Sequence, residues 1–190
     1  CVNHKNFCNA SVPQKSIITT IMVATLEPHK DHTTLLKAWK IVENSIPYAK
    51  LQIVGSGSLE KKLKDLGNEL ELKNVYFLGS RNDVDKLLNE ADIFVFSTTF
   101  NEGFGTVLIE ALSAGLPIVA TNVPACNEVL QGGKYGILVD PNDENALAEA
   151  IIKVYNDKSL FEEQKILERK QYAANFSPEI MIERYLSVFK

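Results

Sequence analysis

Six short apolar segments, separated by stretches of helical length, dictate the fold class of this chain. The segments are mostly rich in Ile, Val and Phe and do not alternate apolar with polar residues, which is typical of strands buried on both faces. They predict strands at 17–25, 50–54, 74–78, 92–97, 117–121 and 136–139. Strands that alternate with helices form a parallel sheet with helices on both faces. The sequence therefore predicts a Rossmann-like three-layer α/β/α domain with a six-stranded parallel sheet.

Helices are predicted between these strands, and several begin at a residue suited to capping, namely Asp31, Asn82 and Asn142. The predicted helices cover 31–45, 57–70, 82–90, 104–115, 125–131 and 143–156. The segment 159–173 is typical of a surface helix, and Pro178 marks the first turn of a last one. In this arrangement the loops that follow the strands gather at one edge of the sheet, where open parallel sheets bind ligands.

Composition indicates an ordinary globular chain and narrows the classes of partner. The 190 residues are 45% hydrophobic and 23% charged, which is typical of one packed domain. The net charge of -4 offers nucleic acid no overall attraction. Cys1, Cys8 and Cys126 suggest neither a disulfide scaffold nor a zinc site and fit a reducing cytoplasm. His29 and His32 have no companion ligands in the sequence, so no metal site is predicted.

Two carboxylates, Glu102 and Glu110, flank a helix start that is interrupted by Gly103 and Gly105. The glycines allow a ligand to approach the backbone closely, and the free N–H groups and positive dipole end of the helix attract an anion such as diphosphate. At helical spacing Glu102, Thr106 and Glu110 lie at i, i+4 and i+8, on one face of a helix.

Each glutamate also has a structural interpretation. Glu102 near a helix start is equally explained by a favourable interaction with the helix dipole. Glu110 interrupts an almost wholly apolar helix that we expect to be buried, and a buried carboxylate is costly unless it is paired or serves a ligand. The pattern therefore favours a ligand-binding role for Glu110 and leaves both interpretations open for Glu102.

The residues around these glutamates resemble a known family. Asn-Glu-Gly-Phe-Gly at 101–105, Glu110-Ala111 and Ala-Gly-Leu-Pro-Ile-Val-Ala-Thr at 114–121 are similar to the donor-binding signature of family 4 glycosyltransferases of the GT-B fold. Further similar segments follow the family's order at 23–30, 51–57, 75–79, 91–97 and 136–141. The resemblance implies that 16–175 is the nucleotide-sugar-binding C-terminal half of such an enzyme. Residues 1–15 then form a linker remnant, and 176–190 form a helix that returns toward a missing N-terminal acceptor domain.

This resemblance implies retaining transfer of a hexose from a nucleoside diphosphate sugar to a glycan or lipid acceptor, as in polysaccharide biosynthesis. It implies no metal and no cofactor. It also implies a cytoplasmic location at the inner face of the membrane, with any peripheral membrane contact made by the missing half. We expect the 190-residue chain alone to bind the donor without transferring the sugar.

The resemblance also assigns roles to residues. Lys30 would stabilise the phosphates and Glu102 would hold a hydroxyl of the donor sugar, and these two are the predicted catalytic residues. Glu110 would accept hydrogen bonds from both ribose hydroxyls, a task suited to a carboxylate with two acceptor oxygens. The backbone around the helix start would bind the diphosphate and sugar, through Gly103, Phe104, Gly105, Thr106 and Val107. The base would rest against the loop that contains Gly79 and Arg81.

Thr25 departs from the family pattern. Family members usually carry arginine there, and threonine supplies no guanidinium group for the diphosphate. Weaker donor binding, a compensating cation such as Arg81, and a different phosphate geometry all remain open. For the Arg81 side chain, an ordinary solvated role also remains open.

Two other classes of function compete with this interpretation. A nucleotide-sugar epimerase of GT-B fold would need acid or base residues at the sugar, and the surroundings of Glu102 argue against it. A non-catalytic flavodoxin-like binding module is compatible with the fold but leaves Glu110 unexplained. The Gly55-Ser56-Gly57 turn is not followed by a full G-x-G-x-x-G motif, which argues against a dinucleotide oxidoreductase.

Overall fold

The computed structural model describes residues 18–103 and 105–176, in which strands and helices alternate. The strands are β1 (Thr19–Val23), β2 (Lys50–Val54), β3 (Val75–Gly79), β4 (Ile93–Phe96), β5 (Ile118–Thr121) and β6 (Ile137–Val139). The α-helices are α1 (His32–Ser45), α2 (Glu60–Glu69), α3 (Val84–Glu90), α4 (Thr106–Ala114), α5 (Pro124–Val129), α6 (Glu144–Asn156) and α7 (Glu163–Ala173). The predicted linker 1–15 and nearly all of the predicted helix at 176–190 lie outside the described residues.

All six strands run parallel in one sheet with the order β3-β2-β1-β4-β5-β6. This confirms the predicted sheet. The strand order reverses between β1 and β4, where Thr20 aligns with Ile93. At such a reversal the loops after the two central strands diverge and leave a crevice at the carboxyl edge, which is the usual ligand position in this architecture.

The helices cover both faces of the sheet. On one face α1 packs against α2 and α6, and on the other α4 packs against α3, α5 and α7. Every residue of β4 and β5 is buried, which explains why these segments show no polar alternation. Phe94, Phe96 and Trp39 are among the largest fully buried side chains of the core. The fold is therefore the predicted three-layer α/β/α domain.

Of the three N-cap residues predicted from the sequence, the structure confirms one. Asp31 is confirmed as the N-cap of α1, because its carboxylate accepts a hydrogen bond of 3.3 Å from the N–H of Thr34. The predictions at Asn82 and Asn142 are wrong by one residue, since the N-caps are Asp83 and Asp143. Asp and Asn are both good N-cap residues, so the sequence does not decide between neighbours. Asn142 instead adopts a left-handed conformation with φ of 60°, which asparagine tolerates.

The Gly-Ser-Gly turn after β2 is a structural element. A Cβ at Gly55 would lie 1.9 Å from the carbonyl oxygen of Ala24, and one at Gly57 would lie 2.5 Å from that of Leu26. Only glycine therefore allows the loops after β1 and β2 to pack so closely. This tight turn also delays α2, which begins at Glu60 rather than at the predicted position 57.

No helix within 18–103 and 105–176 combines the length and the apolar character that crossing a membrane requires.

Candidate functional site

The site is built where the loop after β1 meets the loop after β4. Lys30 ends a short 3-10 turn, Pro28–Lys30, and Glu102 lies in the segment between β4 and α4. The Lys30 ammonium forms an ion pair and hydrogen bond with Oε2 of Glu102. Both side chains are largely withdrawn from solvent, with exposed fractions of 15% and 7%. The fold thus brings the two predicted catalytic residues together, 72 positions apart in the chain.

Glu102 is held by its own loop as well as by Lys30. The hydroxyl of Thr98 lies 3.1 Å from Oε2, and the N–H of Gly103 donates to Oε1 at 3.1 Å. The backbone N–H of Glu102 donates to the carbonyl of Thr99 at 3.1 Å. The predicted alignment of Glu102 along one helix face is wrong, because α4 begins only at Thr106. Gly105 has φ of 66° and ψ of 44°, and this left-handed turn separates the Glu102 loop from the helix.

The loop that carries Lys30 is fastened to the loop that carries Glu102. The carbonyl of His29 accepts a hydrogen bond from the N–H of Thr99 at 2.9 Å, and the hydroxyl oxygen of Thr98 lies 2.9 Å from the same carbonyl. The Lys30 ammonium also lies 5.1 Å from the ring centroid of Phe96, within range of a favourable cation–π interaction. These contacts fix a positive charge at the base of the crevice between β1 and β4.

The start of α4 carries no side-chain cap. Gly105 is its N-cap and has no side chain, so within the described part of the chain the N-cap offers no acceptor to the first-turn N–H groups of Thr106 and Val107. Thr106 is exposed and Val107 is half-buried. A helix start of this kind attracts an anion through its N–H groups and its dipole. Phe104 lies outside the described residues.

Glu110 is exposed, so the predicted burial of this carboxylate is wrong. On α4 the residues Leu108, Ala111 and Leu112 enter the core, while Glu110 faces a groove between α3 and α4. The groove has a volume of about 510 Å³ and is also lined by Asn82 and Asp85. Because Asn82 directly follows Arg81 in the chain, Glu110 and the loop after β3 border the same groove. The ribose and base positions themselves stay predictions.

The remaining predicted residues lie at the same edge of the sheet. Thr25 is exposed in the loop after β1. Gly79 ends β3 with φ of 67°, and its carbonyl accepts a hydrogen bond from the N–H of Gly55 at 2.8 Å. Arg81 forms two hydrogen bonds, of 2.8 and 2.7 Å, to the carboxylate of Asp83. These bonds hold the pKa of Asp83 down at about 2. The Arg81 guanidinium is thus engaged locally, and it is the next residue, Asn82, that lines the groove.

Sequence reasoning assigned no role in the site to three buried residues around it. Thr98 and Thr121 are 0% and 1% exposed, and the N–H of Thr98 donates to the Thr121 hydroxyl at 3.0 Å. His32 is also buried, and burial, together with the charge of Lys30, lowers its pKa to about 4. The cluster of hydroxyl residues after β4 was the available sequence signal, but hydroxyl residues are common in loops. Within 18–103 and 105–176, no group of three or more His, Cys, Asp or Glu is arranged to hold a metal ion.

Together these observations define a Rossmann-like domain with a crevice at the reversal of strand order, where a lysine, a carboxylate and an uncapped helix start come together. Comparison with known proteins gives the family: the model of "Glycosyl transferases group 1" matches residues 7–174. The chain belongs to this glycosyltransferase family.

Individual relatives agree with this assignment. An uncharacterized glycosyltransferase of Methanocaldococcus jannaschii is 36% identical over 168 residues, which are 80% of this chain and 40% of that protein. A phosphatidyl-myo-inositol mannosyltransferase of Mycobacterium leprae is 35% identical over 138 residues, which are 72% of this chain and 36% of that protein. The chain therefore spans about two fifths of the length of these curated relatives.

A solved structure shows the same fold. The crystal structure of Anabaena HepE in complex with UDP and glucose superposes with a TM-score of 0.80 at 23% identity, over 92% of this chain and 48% of that chain. At this level of identity the similarity shows the fold alone. It confirms the predicted Rossmann-like fold.

Proposed function

We propose that this chain is the donor-binding, C-terminal half of a retaining glycosyltransferase that moves a hexose from a nucleoside diphosphate sugar without a metal ion. The observation that carries the proposal is the Lys30–Glu102 pair, fixed beside the uncapped start of α4 in the crevice between β1 and β4. Family membership supports the transfer reaction. The complex of HepE with UDP and glucose supports a nucleotide sugar as the ligand.

In this proposal the diphosphate lies against the N–H groups of Thr106 and Val107 and the ammonium of Lys30. An ammonium has three donors, so Lys30 can hold Glu102 and still donate to phosphate oxygens. As the bond between the sugar C1 and the phosphate oxygen breaks, its electron pair passes to the diphosphate. Fixed donors that face this growing negative charge lower the barrier. The cations and dipoles of the protein thereby take the part that a divalent metal plays elsewhere.

The groove between α3 and α4 suggests where the ribose and the base of the donor lie. With the diphosphate at the start of α4, the ribose reaches Glu110 one helical turn further along, and the base lies toward Asn82 and the backbone of Arg81. The Glu102 carboxylate then accepts a hydrogen bond from a hydroxyl of the sugar. The acceptor oxygen attacks C1 on the face from which the phosphate leaves, and its proton goes to the departing phosphate oxygen. No general base from this half is required.

The acceptor site belongs in this proposal to an N-terminal half outside these 190 residues, and the chain alone binds the donor without transferring sugar. The name of the mycobacterial relative, a phosphatidyl-myo-inositol mannosyltransferase, supports a lipid or lipid-linked glycan acceptor. We also propose that the enzyme is cytoplasmic and acts at the inner face of the membrane, with any membrane contact made by the N-terminal half. The epimerase and the non-catalytic module are not favoured, since the relatives are named as transferases.

Titration calorimetry tests the proposal. UDP, GDP and ADP, with and without an attached hexose, are titrated into the chain in the presence of EDTA. We expect one nucleoside diphosphate to bind with a dissociation constant of about 10 µM to 1 mM. No binding by any ligand, or binding that appears only when magnesium replaces EDTA, refutes the proposed site.

The substitution Glu110→Gln locates the ribose. It removes the charge that strengthens both ribose hydrogen bonds, so ribonucleotide binding should weaken by about 1 to 3 kcal/mol. A 2′-deoxynucleotide, which lacks one of the two hydroxyls, should lose less. Because Glu110 is exposed, folding should be unaffected. The matched control is Glu149→Gln, an exposed glutamate on α6, which should leave binding unchanged. If both nucleotides lose the same binding free energy, Glu110 does not contact the ribose.

A further inference from the structure

We propose that Thr98 is a positioning residue, whose hydroxyl orients the Glu102 carboxylate so that one acceptor position remains for a single hydroxyl of the donor sugar. This inference rests on the proposed function. It concerns how the sugar, rather than the nucleotide, is recognised.

The number of acceptor positions left on the Glu102 carboxylate indicates that it binds a single hydroxyl of the sugar. A carboxylate offers about four acceptor positions, two on each oxygen. The Thr98 hydroxyl has one proton and lies within reach of two acceptors, Oε2 of Glu102 and the carbonyl of His29. The ionised carboxylate is the stronger acceptor and the carbonyl already accepts from a backbone N–H, so we assign the proton to Oε2. Oε2 then accepts from the ammonium of Lys30 and the hydroxyl of Thr98, and Oε1 accepts from the N–H of Gly103. Three positions are thus filled by the protein. The fourth, on Oε1, is the one that a sugar hydroxyl can occupy.

Thr98 is the most rigid of these partners. Its N–H donates to the hydroxyl oxygen of Thr121, and that same hydroxyl donates back to the carbonyl of Thr98, both at 3.0 Å. Its side chain is fully buried, with Oγ1 between Oε2 of Glu102 and the carbonyl of His29. Lys30, by contrast, reaches Oε2 at the end of a flexible stem. Since the terminal torsion of a glutamate is broad, the fixed hydroxyl of Thr98 is what selects one orientation of the carboxylate.

The hydroxyl of Thr98 is removable without disturbing the loop. Its other neighbour, the carbonyl of His29, accepts from the N–H of Thr99 at 2.9 Å, so the carbonyl keeps a partner. The backbone of Thr98 stays fastened to Thr121. Thr98→Val therefore removes the contact with Glu102 while keeping a β-branched side chain in the same buried position.

The chain supplies a matched control in the adjacent residue. Ser97 is also fully buried, and its hydroxyl donates to the carbonyl of Asp31 at 3.0 Å. Ser97→Ala therefore removes a buried hydroxyl bond from the same loop without touching Glu102. Thr98→Ser keeps the hydroxyl and serves as the rescue variant. Thr98→Ala is the second variant, for use if valine prevents folding.

The experiment measures two dissociation constants for each protein, one for a nucleoside diphosphate and one for its hexose conjugate. UDP is paired with UDP-glucose and GDP with GDP-mannose. In Thr98→Val, binding of the nucleotide sugar should weaken about 3- to 10-fold relative to binding of the diphosphate, the effect of losing one ordering hydrogen bond. In Thr98→Ser and Ser97→Ala, the ratio of the two constants should stay within about twofold of the wild-type ratio.

The outcomes separate this inference from the proposed function. If the wild-type chain binds neither pair, the proposed function fails and the inference fails with it. If the wild-type chain binds and folded Thr98→Val, or folded Thr98→Ala, keeps the wild-type ratio, the inference alone is refuted. Equal weakening of both ligands also refutes it, because that result indicates a structural role for Thr98.

Discussion

Buried His32 should make the stability of this domain depend on pH in a way that one substitution removes. His32 is the first residue of α1 and is 2% exposed. Both of its ring nitrogens are buried without a hydrogen-bond partner among the described residues. Protonation would place a charge in this apolar position, next to the charge of Lys30, and the pKa of His32 is accordingly lowered from 6.5 to about 4.

The sign and size of the effect follow from these two pKa values. Between pH 6.5 and about 4 the unfolded chain binds a proton at His32 and the folded chain does not. The free energy of unfolding therefore falls as the pH drops through 6.5, and the loss levels off below about pH 4. At about 1.4 kcal/mol for each pH unit, the contribution of His32 is a loss of about 2 kcal/mol at pH 5 and about 3 kcal/mol at pH 4.

The assay is urea unfolding of wild type and His32→Leu at several pH values from 4 to 7.5, followed by the fluorescence of Trp39. This residue is the chain's single tryptophan and is fully buried. Other titrating groups affect both proteins, so the difference between the two unfolding free energies isolates His32. That difference should shift by about 2 kcal/mol in favour of the leucine variant between pH 7 and pH 5. A difference that stays constant across this range refutes the reasoning.

Two further substitutions test the loops around the site. Thr25→Arg should tighten binding of a nucleoside diphosphate by about 1.5 to 3 kcal/mol, less the entropy of ordering the side chain, and should leave nucleoside binding unchanged in calorimetry. If the folded variant binds the nucleoside diphosphate no more tightly than wild type, this loop does not face the phosphates. Gly55→Ala should lower the free energy of unfolding, measured by urea unfolding, by about 3 kcal/mol or more, because the added Cβ would lie 1.9 Å from the Ala24 carbonyl oxygen. In the same urea assay the control Gly67→Ala, in α2 where an added Cβ meets no neighbouring group within 4 Å, should raise it by about 0.5 to 1 kcal/mol. Similar effects of both substitutions would contradict the packing argument.

Local sequence patterns predicted where the site residues lie along the sheet, but not how each residue is oriented. The position of Lys30 after β1 and of Glu102 after β4 followed from strand recognition, and the structure places both at the predicted edge. The alignment of Glu102 with the helix failed because the left-handed turn at Gly105 delays α4. The burial of Glu110 failed because an apolar sequence around a residue does not reveal which side of the helix faces a groove.

The sequence by itself determined the fold class and the family. Strands buried on both faces need continuous apolar segments, and a backbone that approaches a ligand needs glycine. Both features can be identified directly in the amino-acid sequence. Only the tertiary structure decided which residues meet. The Lys30–Glu102 pair, the bonds of Thr98 to Thr121 and the passage of Gly55 against Ala24 join segments that are 23 to 72 positions apart. Such contacts depend on strand order and loop packing, since a local pattern records what a residue prefers and not which distant residue the fold places beside it.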